Sequence, residues 1–480
     1  MKADLVAIAN SVFGSNVTLS RALRDFILEN PSYASIPIQN WNVSTVKSMK
    51  GWFAGMDGCH FPSLHKWDTS NVEDMSFMFS NFRGDLPGIE YWDTGRVKNM
   101  HALFEGAKLK FVFLDKWNTE NVEDMSNLFR LCSYTKIINL SNWNTRKVKS
   151  LRGAFEGCCS TNSITGVKYW DVQNVEDFCC TFSNCSYIDR FELNQWNMKN
   201  ARDTSYMFRD CNNAIVIDLG DNRCDKVYTI SNMFEGCHFL NKLKWNFSGK
   251  NVNSLDNVFR NCYSIKHIKM SQFSTNKCTS LSSFCQNCRS LESIDVSHFN
   301  TSLVQSIDYA FAECHRLRVL DVSNWNTTRV KIMTAAFKSC YELKVLDVSN
   351  WNTKNVENMS ELFMECCSLF FLDVSNFNTE NCWCFSFCFY GCKCITKLDL
   401  SSWTMSQGVS TLNCCAHCDS LVILYPPYRK DDVTLNWTFD DECNSLTAIN
   451  HMVLMDNEVE EIADIMALED SPSNSPKWSS

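Results

Sequence analysis

The residues best suited to chemistry in this chain are its thiols. Cys388 and Cys392 stand four apart, and Cys414 and Cys418 repeat that spacing 26 residues later. Four thiols on facing turns could hold a tetrahedral zinc ion, with Cys384, Cys394, Cys415 and His417 close by in sequence. Disulfides between neighbouring turns would need an oxidising compartment. Against both stands a longer series: Cys132, Cys158, Cys185, Cys211, Cys237, Cys262, Cys288, Cys314, Cys340, Cys366, Cys392 and Cys418 recur at intervals of 25 to 27 residues. A cysteine placed once per repeat packs as a small, easily buried hydrophobe. Core packing is therefore the plainer expectation, the metal site an unfavoured one, and no cofactor is expected.

A second series is acidic. Asp218, Asp295, Asp321, Asp347, Asp373 and Asp399 share one column, the last five in consecutive repeats, while Phe113, Asn139, Gly166 and Glu192 occupy it earlier. Each Asp lies between two apolar residues of an L-D-V type stretch, which turns it outward if that stretch is a strand. Stacked carboxylates repel at strand spacing. The column therefore reads either as an acidic stripe for a basic protein partner or divalent cations, or as side chains that bond the Ser and backbone beside them. Catalysis has little to stand on. The nine histidines are scattered, and no Gly-rich phosphate loop, H-E-x-x-H or G-x-S-x-G occurs. No enzyme is expected.

What must position these columns is a repeat. Fifteen residues before the cysteines run Trp117, Trp143, Trp170, Trp196, Phe247, Phe273, Phe299, Trp325, Trp351, Phe377 and Trp403, broken by Asn222 and continued upstream by Trp41, Trp67 and Trp92. A fixed period of this length means a solenoid whose units bury their apolar faces only against neighbours. In Leu343–Cys366, Leu343, Leu346 and Val348 suit a short strand, and Ser349, Asn350, Asn352 and Thr353 suit a turn. Val356, Met359, Phe363 and Cys366 then recur at three, four and three, which predicts one face of a short helix. The expectation is an α/β solenoid of about fifteen 26-residue coils, on the order of 70 Å long at strand spacing.

The repeat L-x-x-L-D-V-S-N-W-N-T-x-N-V-x-x-M-S-x-L-F-x-x-C resembles the BspA-like leucine-rich repeat family in its 26-residue form, over roughly residues 18 to 424. Leu19, Ala22, Leu23 and Phe26, followed by Ile36 to Trp41, resemble that family's N-terminal cap. The resemblance implies a right-handed leucine-rich-repeat-like solenoid used for adhesion or protein–protein contact. It also implies a setting among bacterial surface proteins, protists or large DNA viruses.

The boundaries that follow are a helical cap at 1–35, the solenoid at 36–424, a C-terminal cap with an acidic helix at 425–470, and a disordered tail at 471–480. Asp456 to Asp470 carry seven acids and no base, most of the formal charge of −9. The near-neutral body offers no basic stripe for nucleic acid. No apolar run reaches the ~18 residues of a membrane span, and the N-terminus lacks a signal-peptide core. An intracellular, cytoplasmic or virion-associated scaffold that binds a protein partner is the leading expectation. A structural part of a larger assembly, joined through caps or acidic helix, comes next, and a surface adhesin last.

Overall fold

Alternation of inward and outward residues makes the strands. In the computed structural model, which describes residues 38–405, 408–425, 427–429 and 448–449, the strand-like stretches form short parallel pairs between successive turns. β1 (Asp57–His60) pairs with β2 (Arg83–Asp85). β3 (Phe111–Phe113), β4 (Ile137–Asn139) and β5 (Ser163–Thr165) form one three-stranded ladder, and β6 (Arg190–Glu192), β7 (Val216–Asp218) and β8 (Lys242–Lys244) a second. β9 (His267–Ile268) pairs with β10 (Ser293–Ile294), and single parallel bridges carry the ladder on through Val319, Val345 and Phe371. β11 (Lys397–Asp399), β13 (Ile423–Tyr425) and β15 (Ala448–Ile449) close the series, with β12 (Thr404–Met405) against β14 (Tyr428–Arg429). Within the two three-stranded ladders register is kept: Val112, Ile138 and Ile164 stack in line, as do Phe191, Ile217 and Leu243.

The predicted helix is not there. Among the described residues the only helical elements are three-residue 3-10 turns at Ile38–Asn40, Ile89–Tyr91 and Val167–Tyr169. The segment from Met359 to Cys366 shows what replaces it. The N–H groups of Met359, Glu361, Phe363 and Glu365 donate to carbonyls of the next turn, those of Cys384, Ser386, Cys388 and Tyr390. Those of Leu362, Met364 and Cys366 bond three residues back within the turn. Glu361 and Glu365 sit at φ of 58° and 59°, and a left-handed residue every fourth position forbids a right-handed helix. The three-four-three spacing of Val356, Met359, Phe363 and Cys366 does put all four side chains inside. That spacing cannot distinguish a helix from a zigzag whose alternate amides reach the neighbouring turn. The zigzag forms because left-handed strain, of order 1 kcal/mol or more per non-glycine residue, is offset by donors paired between turns that would otherwise be buried unpaired.

The turns count to about twelve rather than fifteen. Twelve turns carry the buried column cysteine; upstream of Cys132 its place goes to Met56, Phe82 and Ala107. The helical N-terminal cap, the acidic helix and the tail fall outside the described residues. So the fold is a parallel β-solenoid, with strand, turn and zigzag in each turn.

Its core is a set of columns. Trp325 and Trp351 stack with centroids 6.3 Å apart and planes 2° off parallel, and Phe104 and Phe129 at 5.3 Å and 3°. Offset-stacked pairs add about 0.5–1.5 kcal/mol beyond burial. Each indole N–H also needs an acceptor. Trp117 donates to the Ile89 carbonyl, Trp143 to Leu114 and Trp196 to Val167, each at 2.8 Å. Where Asn222 interrupts the aromatics, its amide donates instead to the Trp196 and Leu219 carbonyls, both at 2.7 Å.

Candidate interaction face

All twelve column cysteines are buried, and every one donates its S–H to a carbonyl in the turn before it. Cys340 reaches Phe311 and Cys366 reaches Phe337, at 3.2 and 3.1 Å. The Phe311 carbonyl also accepts the Cys314 N–H, so both its lone pairs are used. Burial pushes the Cys132 and Cys340 thiols up to about 12.

Two of the four cysteines considered for zinc follow this pattern. Cys392 and Cys418 donate to the Phe363 and Phe389 carbonyls at 3.1 Å. Cys388, beside them in the core, has its thiol held well up by burial first and by Cys414 second. No cluster of three or more His, Cys, Asp or Glu among the described residues has metal-binding geometry. The 25 cysteines whose side chains are described are free thiols.

The acidic column faces outward as expected, each Asp flanked by buried neighbours such as Leu320 and Val322 around Asp321. Asp295, Asp321, Asp347, Asp373 and Asp399 do the same local work. Each Oδ1 accepts both the N–H and the hydroxyl of the Ser two residues on, at 3.1 and 2.7 Å for Asp347 with Ser349. Asp218 accepts only the Gly220 N–H, at 2.8 Å. The Ser297 hydroxyl, opposed by partial burial, holds the Asp295 carboxyl below its ordinary range. Asn139 closes its turn with Ser141 in the same way, at 3.2 and 2.6 Å. The turn therefore needs an oxygen and not a charge.

Two features escaped the sequence reading. Two residues before the acidic column, the same sheet face carries Val319, Val345 and Phe371, bridged in register, with Val319 58% and Phe371 60% exposed and Phe370 beside them at 54%. An apolar stripe thus runs alongside the acids. Nearer the other end Phe111 and Phe113 are also exposed on β3, while charged side chains of β6 to β8 lie between. The second feature is a column of alternating charge just past the buried valines: Glu73, Lys98, Glu123, Lys149, Glu176 and Arg202. It is tied by Lys98–Glu73 at 2.8 Å, Lys149–Glu123 at 2.5 Å and Arg202–Glu176 at 2.9 Å. Its signal was present in the sequence as V-E, V-K, V-E, V-K, V-E, A-R. Further along that column a shallow groove of about 790 Å³ ends at Trp383, lined by Gln305, Lys331, Glu357 and the Arg329, Asn355 and Asn381 side chains.

Parallel turns of one strand each, joined in register over stacked aromatic columns, define a leucine-rich-repeat-like β-solenoid. The chain belongs to the repeat family described as "Mycoplasma protein of unknown function, DUF285", which matches residues 22–136, 80–165, 126–246, 228–345 and 305–422, and with it to the BspA-like leucine-rich repeats. Among solved structures, the chain is similar to a leucine-rich cell surface protein of Faecalibacterium prausnitzii. The two share 16% identity over 72% of this chain and 83% of that one, with a TM-score of 0.35. A leucine-rich repeat protein of Eubacterium ventriosum shares 14% identity over 85% and 89% of the two chains, at a TM-score of 0.26. An internalin of Listeria monocytogenes shares 13% over 87% and 96%, at 0.19. A search of the curated proteins found no match. No helix among the described residues is long and apolar enough to cross a membrane.

Proposed function

We propose that the chain is a non-enzymatic protein–protein interaction scaffold. Its binding face is the sheet between residues 293 and 399, and its partner is a protein segment with apolar side chains flanked by basic ones. One observation carries this reading: Val319 and Phe371, with the half-buried Val345 between them, form an apolar stripe in register beside five consecutive carboxylates. Asn139 closes the same turn without charge, so local structure does not require those carboxylates. Repelling charges at strand spacing, kept in five turns running, suit recognition of a cationic partner. Buried cysteines that each serve singly as S–H donors suit a reducing, intracellular setting.

The test places a photo-crosslinking amino acid at Val345 or Phe371 and, as a control on another column, at Trp383, in the source cell. A protein captured at both sheet positions and lost when Asp295, Asp321, Asp347, Asp373 and Asp399 are changed to Asn supports the reading. Capture at Trp383 alone, or capture indifferent to the five substitutions, overturns it.

A further inference from the structure

The column cysteines have 0–2% exposure and spend their S–H on backbone carbonyls. Cys179 and Cys180 do not make that backbone contact. They are adjacent in sequence at the start of a zigzag segment, with sulfurs 3.5 Å apart and hydrogen-bonded to each other. The Ser205 hydroxyl of the next turn donates to Asp203 Oδ1 at 2.6 Å and lies 3.4 Å from Cys179 Sγ, and the Cys179 N–H is tied to Asp177 at 2.9 Å. Arg152 of the preceding turn, held by Asp177 at 2.7 Å and Asp203 at 3.3 Å, adds a cation near the pair. Cys180 is half-buried and Cys179 retains 5% exposure.

We infer that Cys179 and Cys180 form a redox-active vicinal dithiol, which a hydroperoxide oxidises to a disulfide within the pair. The surroundings set the roles. The Cys179 sulfur lies 3.5 Å from the Cys180 sulfur, and its pKa is lowered by that contact first and also by the Arg152 cation, with burial and Asp203 opposing. Cys180 keeps its proton, its pKa raised by that same hydrogen bond and by burial. The Cys179 thiolate attacks the terminal peroxide oxygen. An S–O bond forms, the O–O bond breaks, and the departing alkoxide or hydroxide takes a proton from water. The resulting sulfenic acid faces the Cys180 sulfur. Attack by Cys180 forms the S–S bond and breaks S–O, and the hydroxide leaves with the Cys180 proton as water. Two thiols lose two electrons, and the peroxide gains them.

The sulfurs need only close from 3.5 Å to about 2.05 Å. Adjacent Cα atoms lie about 3.8 Å apart, shorter than the ~4.4–6.8 Å usual for disulfides, so the oxidised pair is strained and readily reduced. That makes it suited to reversible sensing rather than to permanent cross-linking.

The full chain, reduced and desalted without oxygen, is treated with stoichiometric hydrogen peroxide, alkylated and digested with chymotrypsin. Cleavage after Phe178 and Phe182 isolates both cysteines from Cys185. The expected result is a 179–182 peptide lighter by about 2 Da and unalkylated, restored by dithiothreitol, with the column cysteines still thiols. In Cys180→Ser, dimedone should label Cys179. Both thiols alkylated in the wild-type peptide after peroxide, a disulfide from either to a third cysteine, or dimedone on Cys180 in Cys179→Ser would each overturn the assignment.

Discussion

A cysteine in this fold is a donor before it is anything else. Cys340 shares the Phe311 carbonyl with a backbone amide, and ten other turns repeat the arrangement on a Phe carbonyl, with Cys285 taking that place for Cys314. This explains why the column holds so regularly to one residue type. The site must be apolar enough for complete burial, yet must offer a proton to a carbonyl with a free lone pair. Two measurements follow. In native protein at pH 8 the column thiols should resist iodoacetamide and react only after denaturation, in contrast to the exposed Cys394. Stability should also fall at alkaline pH. The folded thiols at Cys132 and Cys340 titrate at about 12 against 9.0 unfolded. The unfolded chain therefore loses its protons first. The stabilisation is intact below about 9 and fades between about 9 and 12, with a slope of about 1.4 kcal/mol per pH unit for each thiol. Cys340→Ala should flatten that slope by one proton in urea titrations; an unchanged slope would mean the thiol ionises while folded. The same donor role falls on two members of the four-cysteine spacing, Cys392 and Cys418, which face carbonyls in the core.

At the scale of the element, the repeat, the inward columns and the parallel strand could all be read from the chain. The helix could not. A three-four-three pattern of Val356, Met359, Phe363 and Cys366 reports which residues point inward and is silent on where the amides go. The deciding signal was weaker: Gly or Asn recurring four apart, as in Gly153 with Gly157 and Asn257 with Asn261, all at positive φ. Ala335 and Ala336 separate the two structures. Both are buried, but only Ala335 is left-handed, at φ 53°. Both Gly variants lose a methyl, while only Ala335→Gly also relieves left-handed strain. Ala336→Gly should therefore be the more destabilising by about 1–2 kcal/mol, measured by urea midpoints. Equal losses at the two positions would restore the helix.

The whole molecule repeats its electrostatics as it repeats its core. Glu73, Lys98, Glu123, Lys149, Glu176 and Arg202 alternate in sign along the axis, and Arg130 bridges Glu105 and Glu156 at 2.8 and 2.9 Å on a parallel line. Exposed pairs of this kind are weak singly and screened by salt. Glu123→Lys would set three lysines in a row. It should lower the melting temperature at low ionic strength, with most of the difference gone near 1 M salt. A salt-independent loss would point to packing instead. The sequence carried this alternation openly, but its partners are about 26 residues apart and become neighbours only once the period is treated as a third dimension.

In both the sheet and the zigzag, the hydrogen bonds between turns run from one turn to the next and so lie along the axis. Tension on the two ends loads these rungs one after another. Under a stretching force the molecule should come apart as a zip does, turn by turn. Each release should add roughly 90 Å of slack, the reach of a 26-residue extended segment. A force trace with evenly spaced teeth would show it, and the weakest tooth would mark the turn where Asn222 breaks the aromatic column.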